Sequence, residues 1–307
     1  MKTLYTNNGI SSLNLRINEK TIEVFSIPNE LKKRELMIII KNSNGDEVEK
    51  KIFAEQEPMM FNLSTFEDGT YSFHLLFISD DAKCFWTYLS LSGISIKIIN
   101  STISFDIPQI VLSNALRYDK ILKRFSRENL LKSSSKFQSK HPNISELVHE
   151  ITRRELFLYS KVKAIHDWIA TNISYDYDSI MDASYMKIDQ SALHVLTTRK
   201  GVCQGFSNLC IAMLRAIGVP SMEIPCFALN ITSEGGWEKE NNLNQPANHV
   251  ITAAYVHDRW ILMDVTWDSD NVIKGGVKQA RTNFGTKHLY FDVTIPFISN
   301  THHITMI

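Results

Sequence analysis

The chain has 307 residues, more than one hydrophobic core comfortably organises, so its length predicts two domains. Hydrophobic residues make up 44% and charged residues 21%, a globular balance that argues against extended disorder. Lys plus Arg equals Asp plus Glu at 33 each, so no net field favours a nucleic-acid partner or an anionic membrane.

The N-terminal stretch MKTLYTNNGISSLNLRINEK lacks the apolar run and small-residue cleavage site of a secretory leader. No segment approaches eighteen consecutive apolar residues, so no membrane span is expected. These features predict a cytoplasmic location, with export by another route left open. Residues 1–108 read as strands. Asn44-Gly45 between two extended segments is a hairpin signal, because both residue types tolerate positive φ. In FEDGTYSFHLLFI, Tyr71, Phe73, Leu75 and Phe77 alternate with Ser72, His74, Leu76 and Ile78, as a sheet packed on one side requires. LSTFEDGTYSF resembles the tyrosine corner of immunoglobulin-like and fibronectin-type sandwiches, with Phe73 where antibody domains place a cysteine. An immunoglobulin-like β-sandwich that binds, spaces or docks a partner is therefore expected for 1–108.

Residues 109–144 are polar, basic and serine-rich around 132–140, and read as a solvated connecting segment with a short helix. HPNISELVHEITRR, with Pro142 and Ser145 ahead of Leu147, Val148 and Ile151 at apolar spacing, reads as a helix start. The next helix carries Val162, Ile165, Trp168 and Ile169 on one stripe, with His166 read as structural or surface-exposed. The four cysteines, Cys84, Cys203, Cys210 and Cys226, contain no C-x-x-C pair and fit neither a disulfide framework nor a zinc ribbon. His302-His303 reads as a polar tail, and neither a metal nor an organic cofactor is expected.

RKGVCQGFSNLCIAMLRAIGVP places Cys203 at the start of a helix that Gly218 and Pro220 stop. Phe206, Leu209, Cys210, Met213, Leu214 and Ile217 form its buried stripe, so Cys210 is a small hydrophobe. A helix N-terminus stabilises a thiolate, and its N–H groups suit a developing oxyanion. Gly205 is expected to clear an approach to the Cys203 sulfur.

In NHVITAAYVHDRWILMDVTWDSD, a two-residue turn at His257-Asp258 pairs Val256 with Arg259. Extended further, this register puts His249 opposite Thr266 and Asp264 opposite Ile251, all on one face. Asp264 and Asp268 are both diagonal neighbours of His249, and the register alone does not choose between them. A thiol, an imidazole and a carboxylate are the three roles of cysteine acyl-transfer chemistry. A polar stretch, 230–248, precedes His249 and reads as a loop bordering the cleft.

The linked motifs KGVCQGFSNLCIAMLRAIGVP and NHVITAAYVHDRWILMDVTWD, with IHDWIATNISYDYD upstream and LYFDVTIPFIS downstream, resemble the bacterial branch of the transglutaminase-like superfamily. The resemblance covers roughly 145–307 and implies an α+β, papain-like catalytic domain after the sandwich. It implies Cys203 as nucleophile, His249 as general base and acid, and Asp264 as the orienting carboxylate. One departure is Val250-Ile251-Thr252 after His249, where many relatives carry His-Ala-Trp-Asn-type strands. Tyr175, Gln190, Gln204 and Trp267 are candidate oxyanion or cleft-lining groups. The expected substrate is a protein or peptide, attacked by a peptidase, amidase or transglutaminase. The alternative is a binding or scaffold protein that keeps the fold without turnover.

Overall fold

A computed structural model of the chain describes residues 2–6, 13–18, 20–25, 36–53, 59–78, 85–229, 237, 245–269, 271–280 and 290–305. Two compact units are present. One comprises Met1–Ala115, Ser233–Asn241 and Thr294–Thr301, the other Leu116–Thr232, Asn242–Val293 and His302–Ile307.

The first unit holds two antiparallel sheets. One runs in the order β1 (Lys2–Thr6), β2 (Leu13–Asn18), β3 (Thr21–Phe25) and β6 (Met59–Asn62). The other runs β5 (Glu47–Phe53), β4 (Leu36–Asn42), β7 (Gly69–Ile78), β8 (Phe85–Ile99) and β9 (Thr102–Asp106). Each contributes a buried face: Ile22 stands opposite Phe61, and Ile40 opposite Phe73, all four at most 2% exposed. The Asn44-Gly45 hairpin forms, but its connection spans residues 43–46, and of the two turn residues only Gly45 takes positive φ, at 87°. The Asn42 side chain organises this turn by accepting the N–H groups of Asn44 and Asp46 at 2.9 and 3.0 Å. The aromatic alternation holds at Tyr71 and Phe73, both buried, against half-buried Ser72 and His74. The Tyr71 hydroxyl donates back to the Glu67 carbonyl at 2.9 Å, and Phe66 packs edge-on against its ring.

The second unit is mixed α/β. Its helices include α2 (Pro142–Thr152), α3 (Leu158–Asn172), α4 (Tyr177–Met181), α5 (Ala192–Thr198) and α6 (Cys203–Ala216), while α1 (Gln109–Leu122) has residues in both units. Pro142 at the first helical position and the His141 side chain, accepting from Asn143 N–H, start α2 where the sequence places it. A sheet in the order β14 (Arg259–Met263), β13 (His249–Val256), β12 (Ser221–Ala228) and β17 (His302–Ile304) packs on α6. A smaller sheet runs β11 (Lys200–Gly201), β10 (Ser174–Asp176), β15 (Asn271–Lys274) and β16 (Val277–Ala280).

Residues 205–214 of α6 are all buried, so this helix is enclosed on every side rather than on one stripe. It packs against α2, α3 and α5 as well as β12 and β13. Each fully buried large apolar side chain along it contributes about 1.5–3 kcal/mol. Polar ties fix its rotation: Ser207 Oγ meets Thr252 Oγ1 of β13 at 2.9 Å, and Cys210 Sγ lies 3.9 Å from Met263 Sδ.

The 132–140 stretch differs from the solvated linker its composition suggests. Arg215 donates to the Lys132 carbonyl at 2.6 Å and lies over the Phe137 ring, while Gln138 Oε1 accepts Leu193 N–H at 2.9 Å. Backbone groups at the starts of elements need partners, and this stretch supplies them to α5. Among the described residues, no helix is long and apolar enough to cross a membrane.

Candidate active site

Cys203 is the first residue of α6. The N-cap, Val202, has no side-chain oxygen to satisfy the N–H groups of the first turn, so this helix end keeps its positive character. What holds it is Gln190, whose Oε1 accepts Val202 N–H at 3.1 Å and whose backbone carbonyl accepts Asn208 Nδ2 at 2.7 Å.

Gly205 has a different use from the expected one. A Cβ there would fall 2.5 Å from Gln190 Oε1 and 2.7 Å from Val195 Cγ2, so the glycine lets α5 and the Gln190 amide close onto α6. Close packing beneath Cys203, rather than access to the sulfur, requires it.

The β13–β14 hairpin turns at His257-Asp258 with Val256 opposite Arg259, in the register read from the sequence. Both turn residues take positive φ, 47° and 64°. The pairing stops at Met263, however, where strand geometry was expected to continue to Thr266. Asp264 instead caps the one-turn helix Val265–Asp268, its Oδ1 accepting Thr266 and Trp267 N–H at 3.0 and 3.1 Å. Its Oδ2 is thereby aimed at His249, whose Nε2 donates to it at 2.8 Å. Asp268, the other geometric candidate, turns away and engages buried His166 at 3.1 Å.

The His249 ring is thus hydrogen-bonded to Asp264, and Cys203 lies close enough to act on its charge. Since Nε2 serves the carboxylate, Nδ1 is the nitrogen left for sulfur. Burial opposes charging this imidazole, but Asp264, by charge and by hydrogen bond, and the nearby Cys203, by charge, outweigh it and raise its pKa to about 10. Burial likewise opposes ionisation of Asp264, yet His249, and then His302, hold its carboxyl well below the usual range.

The other two described cysteines are set apart. Burial pushes the Cys210 thiol up to about 12. Cys226, paired across the sheet with His249, is raised well above its ordinary value by burial and by the nearby Asp264 and Cys203. Cys84 lies outside the described residues, as does most of the 230–248 loop.

The remaining candidates divide. Tyr175 sits on β10 in register with Gly201, its ring 6.5 Å from that of Phe206. Gln204 turns its amide to Asn208 Oδ1 at 3.0 Å and to Glu223, which also pairs with Lys136. Trp267 lies with its ring centre 6.0 Å from that of His249 and 4.4 Å from that of His302.

Residues 145–265 match the family model of the transglutaminase-like superfamily. The chain carries a transglutaminase-like domain. The match contains Cys203, His249 and Asp264. Kyphoscoliosis peptidase from Mus musculus is 27% identical over 126 residues, and that from Homo sapiens 29% over 129. Each alignment covers 41% of this chain and 18% of the relative, so this chain spans under a fifth of the length of those proteins. A solved structure of a candidate cysteine protease from Cytophaga hutchinsonii is 20% identical, covering 87% of this chain and 72% of that one, with a TM-score of 0.34.

Two further histidine positions differ in how they meet the sequence expectation. The His302-His303 pair is no polar tail: both residues are at most 1% exposed, in β17 against β12. His302 Nε2 lies 3.3 Å from Asp264 Oδ2. The β-branched run around THHIT was the available strand signal. The ligand atoms of His249, Asp264 and His302 lie within 4.8 Å of one another, the one group among the described residues spaced to hold a metal ion. His166, too, is fully buried, between Asp167 at 3.0 Å and Asp268 at 3.1 Å. Burial opposes its charge, but these two carboxylates outweigh that and raise its pKa.

Proposed function

We propose that residues 145–307 form a cysteine-dependent acyl-transfer enzyme acting on peptide or carboxamide bonds. The observation that supports this reading is the His249 imidazole, hydrogen-bonded to buried Asp264 at 2.8 Å, with Cys203 at the N-terminus of α6 close enough to act on its charge. A thiol, an imidazole and a carboxylate in that order are what acyl transfer requires. In this mechanism the Cys203 thiolate attacks the carbonyl carbon, and the tetrahedral oxyanion is received by N–H groups of the first turn of α6. His249 protonates the leaving amine, then withdraws a proton from the water or amine that releases the acyl group.

Gln190 is the favoured second oxyanion donor. Its carbonyl oxygen is committed to Val202 N–H, which fixes the amide and leaves Nε2 as its donor side, whereas the Gln204 Nε2 is engaged by Asn208 and Glu223. Hydrolysis is the proposed outcome, in keeping with the peptidase name of the mouse and human relatives, and the substrate is a protein or peptide. We further infer that residues 1–108 are an immunoglobulin-like sandwich that docks a partner, joined through 109–144. The Tyr71–Glu67 bond and the two antiparallel sheets support this.

The test is the pH profile of iodoacetamide alkylation at Cys203, followed by peptide mapping, beside hydrolysis of a fluorogenic peptide amide and incorporation of a fluorescent amine into casein. Labelling that stays fast at pH 6 and loses that behaviour in His249→Ala supports the reading. A rate rising only toward about pH 8.5 in both proteins refutes it. Activated labelling without turnover of either substrate favours the scaffold alternative.

A further inference from the structure

We propose that His302 is a positioning residue of this site: a second imidazole on Asp264 that fixes the carboxylate which in turn fixes His249. The proposal rests on the acyl-transfer reading and adds a residue that lies beyond the stretch matched by the family, which ends at 265.

The argument starts from the accounting of one carboxylate. Asp264 is 1% exposed, so water cannot complete its shell. Oδ1 takes two backbone N–H groups of the one-turn helix that follows it. Oδ2 faces two imidazole nitrogens, His249 Nε2 at 2.8 Å and His302 Nε2 at 3.3 Å. A buried carboxylate with donors at both oxygens has its charge held and its plane fixed. With the His249 N–H as its sole side-chain donor, Oδ2 would be constrained on one side only. His302 Nε2, in ion-pair contact with Oδ2 at 3.3 Å although outside hydrogen-bond geometry, closes the other side, so the His249 ring meets an oxygen that does not swing.

The setting of His302 fits that task. It is fully buried and sits in β17, opposite Ala228 of β12, two residues along from Cys226, which faces His249 on β13. Its ring is 4.4 Å from that of Trp267, 5.4 Å from that of His249 and 5.9 Å from that of Tyr290, centre to centre. Aromatic neighbours of this kind restrict the ring's rotation and keep water from competing for Oδ2. The histidine therefore arrives at Asp264 already oriented, on a strand hydrogen-bonded to the one that flanks His249.

The variants are His302→Phe, which keeps a ring but removes the donor, and His302→Gln, whose side-chain amide restores an N–H at the same reach. Alkylation of Cys203 is read at pH 5.5 and pH 9, which needs no substrate turnover. The expected result for His302→Phe is a fall of about tenfold in the rate at pH 5.5 relative to that at pH 9, the effect of losing one close polar contact to a charged acceptor. His302→Gln should recover most of that ratio, which a purely structural role for the ring would not produce. His249→Ala sets the scale. If it alters the ratio and His302→Phe does not, the role of His302 is refuted and the acyl-transfer reading stands; if neither alters it, both fall. Ring 15N shifts of the unmodified protein provide a check independent of variant folding. His302 should carry its proton on Nε2, and an unprotonated Nε2 would overturn the proposal.

Discussion

Replacing Asp264 by Asn isolates what the carboxylate does, because the side-chain shape is kept while one acceptor becomes a donor. Oδ1 serves two backbone N–H groups and Oδ2 serves His249, with His302 beside it, so either orientation of the amide sets its NH2 against N–H groups. The backbone donors cannot change, but an imidazole can shift its proton. The Asn oxygen therefore takes the helix side, and its NH2 drives His249 to present a lone pair at Nε2 and a proton at Nδ1. Nδ1 then donates toward sulfur instead of accepting from it, and the thiol loses its base. Wrong-tautomer variants of such relays lose about 10^4-fold in kcat. The hydrogen bonds lost to a charged acceptor predict about 1.5–3 kcal/mol of stability each. Hydrolysis of a peptide amide measures the first and urea unfolding the second.

The pH dependence of that stability follows with a definite sign. The Asp264 carboxyl is depressed from 3.8, so its contribution is present above about pH 4 and is lost as the pH falls through the native value. His249 is raised from 6.5 to about 10, so its contribution is full below about pH 6.5 and is lost as the pH climbs toward 10. The stability gap between the protein with its native Asp264 and the Asp264→Asn variant is widest between about pH 4 and 6.5. Turnover by Asp264→Asn within tenfold of the parent, or a gap that does not vary with pH, would refute the tautomer argument.

Gly205→Ala should cost about 1–3 kcal/mol and Gly201→Ala less, because the added Cβ meets Gln190 and Val195 at 2.5 and 2.7 Å in the first case and at 3.2 Å in the second; urea midpoints in the reverse order would contradict the packing role. Iodoacetamide on the folded protein should label Cys203 and leave Cys210 and Cys226 unmodified until unfolding, since both are buried with raised thiol pKa values; peptide mapping decides this, and native labelling at either would count against the burial described. Tyr71→Phe removes the bond to the Glu67 carbonyl and should destabilise the N-terminal unit by about 1 kcal/mol, read as faster amide exchange across 67–73; unchanged exchange there would show that the corner bond contributes nothing.

The helix carrying Cys203 was legible because local signals agree: a glycine-flanked start, a dense apolar run and Gly218 at positive φ as the stop. The His257-Asp258 turn was legible for the same reason, and it fixed which residues of β13 and β14 stand opposite one another. Beyond Met263 the sequence carries two competing instructions. MDVTWD alternates well enough to continue a strand, while an Asp two and three residues before available N–H groups is a helix cap. The cap wins, since Oδ1 takes two N–H groups and leaves Oδ2 free to face His249. The expected neighbour was therefore found for a reason other than strand register.

His302 was illegible for a deeper reason, which also bears on how the site is built. Nothing local distinguishes a histidine pair near a chain end from a solvated tail; burial comes from pairing with β12, whose other edge carries β13 and His249. The same holds for His166, on a helix 102 residues from its partner Asp268. Both histidines bind opposite ends of one short segment: His302 faces Asp264 at the start of the 265–268 turn, and His166 holds Asp268 at its finish, where the backbone N–H of Asp268 returns to the Asp264 carbonyl at 3.2 Å. A one-turn helix has little stability of its own. Clamped at both ends by buried imidazoles, it becomes a rigid mount for the carboxylate. His166→Phe should then loosen Asp264 through the backbone alone, lowering hydrolysis less than His302→Phe does while lowering the unfolding midpoint more, and the opposite ordering would show that the two clamps do not share the task this way.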